Sequence, residues 1–494
     1  MPGRWWRLLC TPIYRDRSQK GKGPMSHSPQ PQGLDSILAI APRRFISKQG
    51  LMRRTWLSST DISSHMHEFT HSVVQTFQAL TLSPILPPSC WSRESILHTN
   101  CRWGSSSLVW IHSGEYISGA PSLSIYDGRF LATTENVIVA SMNYRLGAVG
   151  FLSLPPAAPG NAGLWDQRLA LHWLRDNAAA FSGDPARVML FGQSAGGSSV
   201  SFHLLSAGSR LLFSHAVSQS RAATAPWAWI SLEEPKERGR RLGQLLGCTD
   251  GDDTALVGCL QGKEPREFPK HEISILHRKE LMMIAFVPTP DGDFLPDTPS
   301  RLLRAGHSQP MPILTGFTPS EGSYMLKLSP LDFSLENISH IGWEELLQVV
   351  RLSVPGAPEE AIQIVARRYS QERQDEARYL WAMDQTTGDH LFVSPVAEMA
   401  GREAEAGSPV YTYYFTHSSP GSSLPEWMGV THSSEVPYLF GTLVAMWGAN
   451  YTLTEAETGL SRRVMQYWAE FASKGSPLSK PACVPLEPVV HNVV

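Results

Sequence analysis

Five residues, Gly192-Gln193-Ser194-Ala195-Gly196, do most to limit how this chain folds. They follow a short apolar run, Val188 to Phe191, and precede the apolar-rich stretch Val200 to Leu205. A buried strand that turns at once into a helix needs small residues on both sides of the tip, and it forces the tip residue into a strained, outward-facing backbone conformation. A serine held there lies beside the free amides of a helix start, where a developing oxyanion would find donors. Five residues alone would fit a serine-rich helix cap equally well. The strand before them and the helix after them mark a nucleophile elbow with Ser194 at its tip.

The surroundings extend the same pattern. Ser107 to Ile111 and Asn136 to Asn143 are short β-branched and apolar runs bounded by turn formers, as expected of buried strands. Between Asn161 and Phe181, Trp165, Leu169 and Trp173 recur at helical spacing among Asp166, Arg168 and Arg175, which predicts a crossover helix. Pro312 to Phe317 and Val410 to Phe415 supply later strands, and Leu460, Val464, Met465, Trp468 and Phe471 mark a C-terminal helix. Strands alternating with helices predict an α/β fold with a central, mostly parallel sheet flanked by helices. Residues 1–104 mix Arg, Lys, Ser, Pro and His with little periodicity. The expected organisation is therefore an N-terminal region of unassigned fold, 1–104, ahead of a catalytic domain, 105–494.

Composition excludes several function classes. With 42% hydrophobic and 18% charged residues among 494, the chain can bury a large core. A net charge of -3 provides no basic field to gather nucleic acid or an anionic membrane surface. The uncharged stretch Leu146 to Trp165 is broken by Gly147, Gly150, Pro155 and Pro159, so no transmembrane segment is expected. The apolar run among Arg4, Arg7, Arg15 and Arg17 is too short for a secretory signal, and none is visible. Cys10, Cys90, Cys101, Cys248, Cys259 and Cys483 form no C-x-x-C pair, which leaves structural bridges or free thiols. Asn337-Ile338-Ser339 and Asn450-Tyr451-Thr452 are glycosylation sequons of the kind a secreted glycoprotein carries, and such triplets also arise by chance.

Seventeen histidines do not identify a base by spacing. Longer blocks do more: SLVWIHSGEYISGAPSLSIYDG, APGNAGLWDQRLALHWLRDNAAAFSGDP, ARVMLFGQSAGGSSVSFHLLS, FVPTPDGDFLPDTP, SEGSYML, DHLFVSPVAEMAGR, EWMGVTHSSEVPYLFG and RRVMQYWAEFASKGSP. Over roughly residues 105–476 the chain resembles the cholinesterase branch of the carboxylesterase family. The resemblance implies an α/β-hydrolase fold in which Glu321, of Ser320-Glu321-Gly322-Ser323, orients a base, His432, of Gly429-Val430-Thr431-His432. The order Ser194, Glu321, His432 is the one this fold uses. The implied chemistry is acyl transfer from a small ester, a choline ester first, with no metal or organic cofactor. Two other readings stay open: a general carboxylesterase without choline preference, and a non-catalytic adhesion ectodomain. Relatives of the last kind usually lose the serine or the histidine, and this chain keeps both.

The same resemblance shows where the pattern breaks. The family's oxyanion hole uses a Gly-Gly-Gly stretch, and here the residues are His112-Ser113-Gly114-Glu115. The expected donors are the amides of Gly114, Glu115 and Ala195; the Glu115 carboxylate either crowds the oxyanion or turns to solvent. Gln193 replaces an acidic residue beside the serine, and Arg221 replaces a glycine. Trp91 precedes Cys101 by the interval that separates the family's choline-binding tryptophan from a disulfide cysteine. Trp227 and Tyr324 are retained, whereas Met282 and Ile284 stand where two aromatic rings close the acyl pocket, so a roomier, butyryl-tolerant pocket is expected. Ile117, Ile273 and Leu328 replace aromatics at the mouth. The family pattern pairs Cys248 with Cys259, while Ser394 in place of a cysteine leaves Cys483 without a family partner. The chain ends at Val494, short of the family's last strands and tail, so the domain is read as truncated there. The resemblance also implies secretion and a homodimer through C-terminal helices.

Overall fold

The computed structural model describes residues 104–249, 251–276, 281–282, 284–328, 341–420, 422, 424–447 and 451–477, with short strands at Ile46–Ser47, Gly50–Leu51 and Thr81–Ser83. Trp91, Cys10, Cys90, Cys101, Cys483, Asn337 and Asn450 lie outside the described residues, as does the side chain of Leu328.

Seven strands make the central sheet: β1 (Thr81–Ser83), β2 (Ser105–Ile111), β3 (Ile138–Ser141), β4 (Gly183–Gln193), β5 (His215–Gln219), β6 (Ile313–Phe317) and β7 (Val410–Tyr414). Their spatial order is β1-β3-β2-β4-β5-β6-β7. Only the edge pairing of β1 with β3 is antiparallel; every other neighbour runs parallel. The apolar runs of β2 and β4 look continuous in sequence because both faces of the sheet are covered. Val109, Ile111, Val188 and Leu190 point into one core, and Leu108, Trp110, Met189 and Phe191 point into the other.

Helices close both faces. α1 (Ala162–Asn177) buries Leu164, Leu171 and Leu174 in the first core, joined there by Val200 and Leu204 of α2 (Ala195–Leu205). On the opposite face α4 (Glu455–Lys474), the expected C-terminal helix, buries Leu460, Val464, Met465, Trp468 and Phe471. It starts at a reciprocal cap, in which Thr454 Oγ1 accepts from the Glu457 amide while Glu457 accepts from the Thr454 amide. β5 was not expected from sequence. Its Ser218 and Gln219 are buried polar residues, satisfied by Ser218 Oγ donating to the Gly197 carbonyl at 2.9 Å and Gln219 Nε2 donating to Glu435 at 3.0 Å.

Cys248 and Cys259 form a disulfide that closes a loop of separation 11. Among the described residues, no helix is long and apolar enough to cross a membrane.

Candidate active site

Ser194, Glu321 and His432 lie on the connections that follow the C-terminal ends of three parallel strands, where open α/β sheets form their crevices. Ser194 follows β4 directly. Its φ of 58° lies in the region L-residues avoid, and the conformation is held because its amide donates to the Gln219 carbonyl at 3.0 Å and its own carbonyl accepts from Ser198 at 2.9 Å. Gly196 is obligatory: a Cβ there would meet the Ile111 carbonyl oxygen at 2.0 Å. The serine is thus placed at the start of α2 by close backbone packing that begins within its own pentapeptide.

Glu321 and His432 arrive from different loops. Glu321 opens α3 (Glu321–Leu328) after β6, and His432 lies in the loop after β7. The loops are tied together by a parallel bridge between Ser320 and Thr431, in which the Ser320 amide donates to the Val430 carbonyl at 3.2 Å. Ser323 Oγ adds a second tie, donating to the Met428 carbonyl at 3.1 Å. The result is a hydrogen bond of 2.5 Å from His432 Nδ1 to Glu321 Oε2, between side chains that are 4% and 1% exposed. The other Glu321 oxygen accepts from the Thr318 amide at 2.8 Å. Phe392 packs its ring against the imidazole at 4.8 Å.

Burial and charge put both groups in useful states. For Glu321, burial works to raise the pKa, but the His432 charge and the hydrogen bonds it accepts outweigh that and hold it below the ordinary carboxylate value. For His432, burial lowers the pKa, Glu321 opposes the shift, and the positive charge of Arg221 adds to it. At neutral pH the pair is a carboxylate and a neutral imidazole with its proton on Nδ1. Nε2 is then a free lone pair, the form a general base requires.

That lone pair faces an unexpected partner. Gln193 Nε2 approaches His432 Nε2 at 3.0 Å, while among the described residues no hydrogen bond joins Ser194 Oγ to the imidazole. Sequence treated Gln193 only as a lost negative charge; the structure places its amide on the nitrogen that would take the serine proton.

The oxyanion side is built by the loop after β2. Tyr144 Oη donates to the His112 carbonyl at 2.9 Å, and the Gly114 carbonyl accepts from Ile117 and Ser118 at 3.0 and 2.9 Å, which curls the loop. A Cβ at Gly114 would meet the Ser118 carbonyl at 2.1 Å, so no other residue fits. Glu115 and Tyr116 both take positive φ, 57° and 61°, which costs non-glycine residues about 1–2 kcal/mol each. The amides of Gly114, Glu115 and Ala195, the donors expected from sequence, donate to no other group among the described residues. Glu115 is half-buried, and burial raises its pKa while Arg221 works against that rise.

Trp227, Met282 and Ile284 are buried together in the larger core with Tyr116. Tyr324, Ile117 and Ile273 are exposed, as residues at a mouth would be. Arg221 is the surprise of this region: it is fully buried, with its guanidinium over the rings of Phe392 and Trp227 at 3.3 and 4.0 Å. Phe392 and the Leu391 carbonyl, which accepts from both Trp227 Nε1 and Arg221 Nη1, lie in the matching block DHLFVSPVAEMAGR but were given no role from sequence, because nothing local shows what packs against them.

Comparison with known proteins agrees with this geometry. The model of the carboxylesterase family matches residues 95–492. An acetylcholinesterase of Bungarus fasciatus is 45% identical over 374 residues, covering 75% of this chain and 61% of the snake protein. An acetylcholinesterase of Danio rerio is 40% identical over 487 residues, covering 89% of this chain and 75% of the fish protein. The chain thus spans about three fifths of the length of the first relative and three quarters of the second.

Proposed function

This chain belongs to the carboxylesterase family, and on that premise we propose that it hydrolyses carboxylic esters through an acyl-enzyme on Ser194, choline esters foremost. One observation carries the proposal: a serine held at φ 58° on a strand-to-helix elbow directly follows Gln193, whose amide reaches at 3.0 Å an imidazole whose Nδ1 is bonded to a buried carboxylate at 2.5 Å. In the proposed cycle His432 Nε2 takes the Ser194 proton as Oγ bonds to the ester carbonyl carbon. The amides of Gly114, Glu115 and Ala195 receive the oxyanion. The carbon–oxygen bond to the alcohol breaks, and the alcohol leaves with the proton from His432. Water attacks with the same base and releases the acid. Gln193 competes with Ser194 for Nε2, so turnover is slower than an unobstructed triad would allow.

The choline preference is supported by the name of the two relatives, and tolerance of a butyryl group by the absence of aromatic rings at Met282 and Ile284. The catalytic unit in this proposal is residues 105–494, acting outside the cell as a homodimer joined through C-terminal helices.

The test is stoichiometric labelling by an organophosphate, mapped to Ser194. A folded protein that takes no label would favour the second reading, an adhesion ectodomain, for which the Gln193 contact on His432 Nε2 is the specific support.

A further inference from the structure

Glu321 is the first residue of α3, so its carboxylate is placed only as well as the turn Pro319-Ser320-Glu321-Gly322-Ser323 that starts the helix. On one side Ser320 and Ser323 tie that turn to the loop of His432. On the other it rests on the helix Arg378–Gly388, which supplies none of the triad. The approach is close. A Cβ on Gly322 would meet the Asp384 carbonyl oxygen at 2.1 Å and the Gly388 amide nitrogen at 2.8 Å, so only glycine lets the residue after Glu321 lie against this helix.

Two adjacent side chains of the helix reach the turn. Gln385 Nε2 donates to the Pro319 carbonyl at 2.9 Å and to Asp384 Oδ2 at 3.1 Å. Asp384 is 3% exposed, and burying a carboxylate is costly unless donors surround it. The donors that act on it, besides Gln385, belong to the turn itself: the Ser320 hydroxyl and the amides of Gly322 and Ser323 draw its pKa down, while burial pushes it up to about 7. Asp384 Oδ1 has no hydrogen-bond partner of good geometry among the described residues, so these three groups act on the carboxylate mainly through its charge. The two amides lie in the first turn of α3, where a negative charge is favoured.

Ser320 is the hinge between the two sides. Its amide donates to the carbonyl of Val430, two residues before His432, at 3.2 Å, while its hydroxyl acts on Asp384. Gly429, at φ 60°, leaves room for that hydroxyl, which a Cβ would meet at 2.7 Å. Asp384 makes no hydrogen bond to Glu321 or His432 among the described residues; it acts on Ser320 and Gly322, which flank Glu321. A misplacement of about 1 Å at a reacting pair can cost roughly 100-fold in rate, so what fixes this turn bears on turnover.

We propose that Asp384, oriented by Gln385, is a positioning residue for the acid of the triad: it holds the residues on either side of Glu321 so that the Glu321 carboxylate meets His432 Nδ1. The proposal rests on the ester-hydrolase reading and adds to it a member from a helix that carries no triad residue. Because Asp384 is buried and acts through Glu321, its loss falls on kcat and spares KM.

The experiment uses the purified full chain at pH 8, where Asp384 is ionised. It measures kcat and KM for acetylthiocholine, the low-field proton NMR resonance of the His432 Nδ1–Glu321 hydrogen bond, and the thermal midpoint. Asp384→Ala should lower kcat by about 100-fold with KM held within about twofold, and should move the resonance upfield as the bond lengthens. Asp384→Asn, which keeps an acceptor oxygen and loses the charge, should recover kcat to within about tenfold of wild type. Gln385→Ala reaches the same turn by a second route if Asp384→Ala does not fold, and should lower kcat by about tenfold with the same upfield shift. Variants that keep the wild-type kcat and resonance, or that lose only thermal midpoint, in protein whose Ser194 takes an organophosphate label, overturn the proposal and leave the ester-hydrolase reading standing. If the wild type hydrolyses no ester and Ser194 takes no label, the underlying reading fails and the role of Asp384 falls with it.

Discussion

On one side of Ser194, Glu321 and His432 are buried, bonded to each other and held by backbone from two tied loops. On the other, Glu115 occupies left-handed backbone and Arg221 is buried with two nitrogens unpartnered. Both sides put charge where water is scarce, and the outcomes differ because of pairing. The paired side uses burial to set protonation states: a low Glu321 pKa and a low His432 pKa yield the carboxylate and neutral imidazole that general-base chemistry needs. The unpaired side carries the desolvation with no ion pair among the described residues, offset through the charges of Glu321 and Glu115 on Arg221. The protonation states therefore suit proton transfer, although Gln193 sits on Nε2, while the other region gathers buried charge without ion pairs among the described residues.

The comparison can be broken most easily on its paired side. Ser194→Ala and His432→Ala should each lower kcat for acetylthiocholine by about 10⁴- to 10⁶-fold, and to similar degrees, because members of such a unit fail together. A His432→Ala enzyme close to wild type would mean that the base lies elsewhere.

Next in size is Glu115. A carboxylate about 5 Å from an oxyanion, at an effective dielectric near 20, costs roughly 3 kcal/mol. Glu115→Gly should therefore raise kcat by about 10- to 100-fold and, by relieving positive φ, raise the thermal midpoint as well. Unchanged rates with higher stability would show that only the backbone of Glu115 takes part.

A smaller effect sharpens the boundary between the two sides. The proposed cycle requires neutral His432, whose pKa is lowered chiefly by burial, so the acid limb of kcat/KM should fall below the ordinary histidine value of about 6.5. In Gln193→Glu a carboxylate replaces the amide on Nε2. It favours the imidazolium, moving that limb upward, and it cannot donate to the lone pair, so the rate at pH 8 should rise by about tenfold. A pH profile that does not move would place Gln193 outside the proton path.

The smallest expected change concerns the acyl wall. Met282→Phe with Ile284→Phe should reduce kcat/KM for butyrylthiocholine relative to acetylthiocholine by about fivefold, equivalent to roughly 1 kcal/mol of crowding. A wild-type preference for acetyl of about tenfold or more that survives both substitutions would remove any role for these residues in acyl selection.

How far these features could be read in advance depended on distance along the chain. The elbow was legible because its cause is local: Gly196 must pass the Ile111 carbonyl, and the residues on either side of Ser194 are small or short enough to let strand turn into helix. Most strands were legible from apolar runs between turn formers. β5 was missed because Ser218 and Gln219 are polar, and what makes them acceptable in the core is bonding to Gly197 and Glu435, far away in sequence. Glu321 and His432 stand 111 residues apart, and only resemblance singled them out in advance.

By itself, then, the sequence determined the α/β alternation, the elbow and the pairing of Cys248 with Cys259 once the family pattern was seen, since these follow from backbone sterics, apolar spacing and long matching blocks. Tertiary structure alone decided what each departure from that pattern does. Gln193 became a partner of the imidazole, and Arg221 became a buried cation with two nitrogens unpartnered among the described residues. The physical reason is that a polar side chain acquires its role from what reaches it, and here the loops after β6 and β7, joined at Ser320 and Thr431, bring those partners in from across the sheet.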